Sequence, residues 1–326
     1  MNITLKWFSL IIFLALFASS INAASCQDFS KKDLKEVRLL HLTIDNDSFL
    51  FSQTDWYYSS GIYARYGTLV DPADVFFHLF PKKENKVIRT YGLTHQVYTP
   101  VLFNSPFVSL YDRPHAALLQ FDYGLSYASA KNILKLRGSL GWMGSALGTG
   151  PMLTWFHDVL NYKTPRGWEY EIGNTPVVQL KANWYRTLVS DRLIDWTLTS
   201  QGEIGTVFAN SSIGSELRVG KLLGIDNSLL FDQFSGVPDS KGVVELFFIV
   251  GGNINYSFYN ATIEGPVLGG ESPHTENPMK WIKNGHFGAG LGGNRLDAML
   301  MLNYRSPTTS EAGRHKYISI KLNYRL

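Results

Sequence analysis

The chain has 326 residues, with 30 basic and 27 acidic side chains, a balance that gives no reason to expect nucleic acid as a partner. Aromatic residues make up 14% and Gly numbers 29, yet after the first two dozen residues no apolar run reaches the roughly 20 residues of a membrane helix. A helical membrane protein is therefore excluded, and the strand pattern must decide between a soluble all-β protein and a membrane β-barrel.

The N-terminus reads as a secretory signal peptide over residues 1–24. Lys6 precedes an apolar run from Trp7 to Phe17, and small residues surround Asn22, Ala23 and Ala24. The run is too short to cross a bilayer as a helix. Cleavage is expected after Ala23 or Ala24, with the mature chain taken as 25–326; the alternative treats Ala23-Ala24-Ser25-Cys26 as a lipoprotein box in which Cys26 is acylated. Cys26 is the sole cysteine, so no disulfide within the chain is expected.

Twelve candidate strands follow, centred near Leu42, Ala64, Leu93, Tyr123, Leu136, Ala182, Trp196, Leu217, Phe248, Phe287, Leu300 and Ile320. The last shows the pattern most plainly: Ile318, Ile320, Leu322, Tyr324 and Leu326 share one face, and Tyr317, Ser319, Lys321, Asn323 and Arg325 the other. The same alternation runs through Leu296 to Tyr304 and Ile194 to Thr199, and its period fits Leu119 to Tyr127, Val178 to Trp184 and Ile213 to Val219. Apolar faces with aromatics near their ends, backed by charged faces, suit a wall with lipid outside and a polar interior. A soluble sandwich alternates too, but seldom sets Lys321 and Arg325, or Glu216 and Arg218, between apolar residues in strand after strand. The expected fold is all-β: an antiparallel transmembrane β-barrel of about 12 strands, one domain, in the outer membrane of a Gram-negative bacterium, with the barrel assembly machinery as its partner during insertion.

An even strand count lets the barrel close with both termini in the periplasm. Short turns at Ala130-Lys131, Ser190-Asp191 and Gly292-Gly293 then fall inside, and the long segments 46–57, 98–113 and 143–174 fall outside. Two inner connections, Val70 to Lys86 and Leu222 to Lys241, are long for this class and leave a miscounted strand pairing open.

Three polar clusters gather on the outer rim under this topology. Asp45-Asn46-Asp47 ends the first strand, Thr54 to Gly61 enters the second, and His157 stands in a long outer loop. A hairpin brings the first two together. Clustered carboxylate and amide oxygens suit a hard cation such as Ca²⁺, which would polarise an ester carbonyl; taken alone, Asp45 and Asp47 read as solvated loop acids. Parity puts both on the face away from lipid and Asn46 opposite, unless a bulge intervenes. Met152, Trp155, Phe156 and Val159 have helical spacing, with Pro151 suited to a first turn, so the outer loop is expected to carry a short amphipathic helix. His157, beside that stripe, would face a cleft between helix and barrel, where a general base for water belongs, or else is an ordinary surface histidine. Asp158 is not its orienting partner, because adjacent helical positions point about 100° apart.

Together these residues resemble the lipid A 3′-O-deacylases of the outer membrane over most of the mature chain. Asp45 to Phe49 is similar to that family's Asn-Asp motif at the end of strand one, and Tyr58-Ser59-Ser60-Gly61 to its Tyr-Thr-x-Gly. Val97 to Pro100, Asp112-Arg113-Pro114, His157 with Pro165-Arg166-Gly167-Trp168, Thr206 to Gly220 and Tyr304-Arg305 resemble further blocks. The resemblance implies hydrolysis of the 3′-linked acyl or acyloxyacyl chain of lipid A, the lipid anchor of lipopolysaccharide in the outer leaflet, with Ca²⁺ as cofactor. His157 would be the base, Asp47 a Ca²⁺ ligand joined by Asp45, with Asn46 beside it, and Ser59 would stand where the family has threonine, helping to hold ion and oxyanion. Two positions depart from the pattern. Lys163 replaces an acidic residue that some relatives carry, and Ser105 and Pro106 replace a lysine and an arginine that meet lipid phosphates, so Arg113 is the expected substitute for substrate binding. The alternatives are a non-enzymatic barrel, porin or adhesin, and an outer-membrane phospholipase, for which no matching Ser–His pair is evident on neighbouring strands.

Overall fold

The computed structural model describes residues 38–50, 56–79, 86–159, 161–233 and 244–326. The expected signal peptide, Cys26, Thr54 and Asp55 lie outside them. Twelve strands occur in chain order: β1 (Arg38–Asn46), β2 (Tyr57–Leu69), β3 (Lys86–Thr99), β4 (Ala116–Ser129), β5 (Asn132–Met143), β6 (Thr175–Ser190), β7 (Ile194–Gly205), β8 (Phe208–Lys221), β9 (Glu245–Asn260), β10 (Trp281–Gly292), β11 (Leu296–Arg305) and β12 (His315–Arg325). Each expected strand centre falls inside one of them. Neighbours pair antiparallel, and β1 pairs with β12 from Leu39 against Arg325 to Asn46 against Ile318. Closure leaves no edge among these strands with unpaired main-chain groups, the condition for strands in lipid.

The wall is apolar outside and polar inside, the reverse of a soluble protein. Leu180, Ile204, Phe248 and Phe287 are exposed, while Arg218, Asp297, Asn323 and Arg325 are fully buried. The inward charges are paired: Arg325 donates to both oxygens of Asp297, and Arg218 to Asp195 and Glu245. This is the alternation expected for β12, with Leu322 and Tyr324 outward and Lys321 and Arg325 inward.

The long connection after β8 reflects no miscounted pairing. Two 3₁₀ turns, Ile225–Asn227 and Leu229–Phe231, fold back into the bore. Leu229 packs on Phe247, Ile249 and Met299, and Ile225 and Phe231 on Ala128 and Ile133. Asp232 then accepts hydrogen bonds from Lys135 (2.8 Å) on β5 and Lys321 (2.6 Å) on β12. Burial opposes ionisation of its carboxyl, but the lysine charges outweigh that and hold it well below the usual carboxylate range. The other long connection packs on the outward face instead, with Phe76 and Phe77 against Val87 and Tyr127.

At the opposite end lie the long loops. They carry α1 (Thr149–Val159) between β5 and β6 and the single turn α2 (Ala261–Glu264) after β9.

Candidate active site

The site is built on the outward face of β1 to β4. Strand register sets Asn46, Ser60, Val97 and Ala117 in one row, and Ile44, Ile62, His95 and Leu119 in the row below. The helix α1 lies over these rows, outside the barrel. Its first residue, Thr149, has its hydroxyl 3.3 Å from Nε2 of His95, and Leu147 and Leu153 pack on Val97, Ala117 and Trp168. Gly150 permits this seating, since a Cβ there would come within 2.7 Å of Trp168 Cβ.

Thr149, Leu153 and His157 are four residues apart and share the wall-facing side of α1. The expected apolar stripe is real but turned away from the barrel: Met152, Trp155, Phe156 and Val159 are all exposed. His157 is buried between the rings of Phe103 and Tyr162, centroids 6.3 and 5.9 Å away. Its Nδ1 lies 2.7 Å from the carbonyl oxygen of Lys163. A carbonyl only accepts, so Nδ1 carries the proton and the neutral ring has its lone pair on Nε2. Asp158, as expected, does not orient the ring; it accepts from Thr164 Oγ1.

Ser59 occupies a β-bulge. The register between β2 and β3 passes from Tyr58–Tyr98 to Ser60–Val97, leaving Ser59 unpaired in the ladder. Its hydroxyl donates to the Val97 carbonyl at 3.4 Å, which sets it beside the row that α1 covers. The bulge also reverses parity, so Tyr58 and Gly61 both point into the bore; a Cβ on Gly61 would come within 1.9 Å of the Tyr58 hydroxyl oxygen. Just before it, Tyr57 adopts a left-handed backbone (φ 65°), unusual for a non-glycine residue. The Tyr57 hydroxyl donates to Asp112 at 2.8 Å and accepts from the Gly313 amide, tying this hairpin to two other loops.

Asp45 and Asn46 lie on opposite faces of the wall, as parity predicts, while Asp47 follows the end of β1. Asp47 is fully buried, and its carboxylate accepts from the Trp56 amide at 2.9 Å across the hairpin. The Asn46 side-chain oxygen accepts from the Ser48 amide at 2.8 Å and from the Ser48 hydroxyl. Asp45, the other expected ligand, faces the bore and accepts from the Tyr58 hydroxyl at 2.8 Å, on the far side of the wall from Asn46. Arg113, the expected substrate contact, is held within the fold. It is buried, donates to the main chain (3.2 Å) and hydroxyl (3.1 Å) of Thr262 in α2, and stacks 4.6 Å over Tyr98. Burial lowers its pKa to about 10.

Sequence reasoning missed three contributors. The Lys163 carbonyl acts through the main chain, which residue type does not reveal. His95 was legible as an outward histidine between Leu93 and Val97, but nothing marked Thr149 as its partner. Among the described residues, no three His, Cys, Asp or Glu side chains gather as a metal site, so any cation here must take neutral oxygens as well.

The sequence matches the family model described as outer membrane protein LpxR over residues 10–326. Among solved structures, LpxR from Salmonella typhimurium superposes with a TM-score of 0.70 at 17% identity, covering 88% of this chain and 99% of that one. The translocator domain of the autotransporter NalP from Neisseria meningitidis gives 0.45 at 10% identity, covering 99% and 96%. No curated protein matches the sequence. The family match across nearly the whole chain, on a closed twelve-stranded barrel with an apolar exterior, means that this chain belongs to the LpxR family of outer membrane proteins.

Proposed function

We propose that the protein hydrolyses the ester of the 3′-linked acyl or acyloxyacyl chain of lipid A, with His157 as the base that activates water. One observation carries the reading: His157 sits on the wall-facing side of an external helix, and the Lys163 carbonyl fixes its proton on Nδ1. A base on the wall-facing side of that helix would meet an ester that never leaves the leaflet. Family membership and the motif resemblance support the same substrate class. The plug in the bore speaks against an open porin, and the Ser59 hydroxyl is directed at a carbonyl rather than a histidine, against a serine nucleophile.

In this reading Nε2 of His157 takes a proton from water as it attacks the ester carbonyl, then returns it to the departing sugar hydroxyl. No covalent acyl-enzyme is needed. The Asn46 amide and the Ser59 hydroxyl hold the oxyanion of the tetrahedral intermediate. Asp47, Asn46 and Ser59 offer only oxygen, one carboxylate with two neutral donors, a set that fits Ca²⁺ and would hold it with water completing the shell. Bound there, Ca²⁺ would supply Lewis-acid polarisation of the ester carbonyl. With Arg113 buried and Ser105 and Pro106 uncharged, the exposed Lys163 and Arg166 are the cations of this loop suited to lipid phosphates. The test is the mass of lipid A from cells making the wild type, His157→Asn or no protein: only the wild type should remove the 3′ chain.

A further inference from the structure

Below the cleft, on the same outward face, the next row of the wall is Leu42, Ala64, Leu93 and Phe121, with Tyr66 and Tyr91 in the row beneath. Ala64 is the smallest side chain among these neighbours. Over it lies a depression of about 600 Å³, open to the lipid side and lined mainly by apolar and aromatic side chains, with His41 and Arg65 also reaching its lining. That volume is in the range of pockets that bind a small ligand or a stretch of chain.

Its position identifies its occupant. Ser60 and Ala64 lie on the same strand and the same face, four residues apart, which is roughly 13 Å at a strand's rise. An extended chain advances about 1.2 Å per bond, so an acyl chain whose ester lies at the Ser60 row reaches Ala64 near its eleventh carbon. Between the two is the exposed Ile62 and no charged outward residue of β2. We infer that the depression over Ala64 receives the distal end of the acyl chain being cleaved, and that Ala64 sets the chain length the protein accepts. The inference rests on the deacylase reading, and the steric logic is simple: a larger residue at 64 fills the floor and leaves the cleft four residues away unchanged.

The experiment uses the full-length mature protein in detergent micelles, with synthetic glucosamine 3-O-acyl esters of about 8 to about 16 carbons, a span that brackets the reach to Ala64. Ala64→Leu and Ala64→Trp should leave the short esters at wild-type rates and lower kcat/KM for the longest by at least about tenfold, the scale at which pockets discriminate chain length. Ala64→Gly should shift the preference toward longer chains. Slower migration on unheated gels identifies any variant that fails to fold, and the graded Leu and Gly changes carry the test if Trp does. A uniform loss across all chain lengths, or an unaltered length profile in an active folded variant, overturns this inference alone. A wild type inactive on every ester removes the deacylase reading, and this one with it.

Discussion

Replacing His157 by Asn separates the base from its anchor. The Asn amide retains a donor for the Lys163 carbonyl that His157 Nδ1 meets at 2.7 Å, but has no basic nitrogen in place of Nε2. A positioned general base contributes about 10² to 10⁴ in rate, or roughly 3–5 kcal/mol of barrel-side transition-state stabilisation. His157→Asn should therefore lower kcat by that factor with KM little changed. Lys163→Ala gives the contrasting result. Its contribution to the ring is main-chain, so kcat should stay within about twofold, the scale of ~0.5 kcal/mol for a surface substitution, while KM rises if the ammonium meets lipid phosphate. The assay is fatty-acid release from lipid A in micelles at saturating Ca²⁺. Wild-type turnover by His157→Asn would move the base elsewhere. A kcat loss in Lys163→Ala as large as in His157→Asn would refute the assignment of the carbonyl as the orienting group.

Asp47→Ala should lower activity by at least about a hundredfold in a barrel that still resists unfolding on unheated gels, and excess chelator should do the same to the wild type; full activity in chelator would remove Ca²⁺ from the mechanism. Asp232→Ala strands Lys135 and Lys321 in the bore without their carboxylate and should raise solute flux through proteoliposomes. Unchanged impermeability would show that Leu229 and Phe231 hold the plug by packing alone. His115 is fully buried against Trp168 and Tyr111, and burial lowers its pKa to about 3. As pH falls below about 6.5 the unfolded loop binds a proton that the folded loop refuses, so folded loops lose about 1.4 kcal/mol per pH unit, or about 2 kcal/mol by pH 5. Limited proteolysis of the outer loops should therefore accelerate between pH 7.5 and pH 5, and His115→Phe should flatten that dependence; an unaltered slope would refute it.

The barrel was legible because its physics is periodic. Lipid outside and paired charges inside impose a period of two on every strand, so Lys321 and Arg325 could be assigned to the bore from their alternation with Leu322 and Tyr324. The same parity put Asp45 and Asn46 on opposite faces, yet the family motif drew both toward one site, and the bore-side hydrogen bond to Tyr58 separates them. Arg113 shows a similar limit: residue type announces a charge but not its partner, and Thr262 lies far along the chain. The plug appeared in the sequence only as a connection that was too long. The Ser59 bulge and the Lys163 carbonyl are main-chain features, set by register and loop closure rather than side-chain identity.

A barrel that shortens lipid A at the 3′ position must yield a lighter lipid. The most direct measurement is a mass spectrum of lipid A incubated with purified wild-type protein and Ca²⁺, beside His157→Asn under the same conditions. A product lighter by the whole 3′-linked acyl or acyloxyacyl chain, with the matching fatty acid released, is expected in the wild-type reaction alone. Lipid A of unchanged mass in both reactions would contradict it.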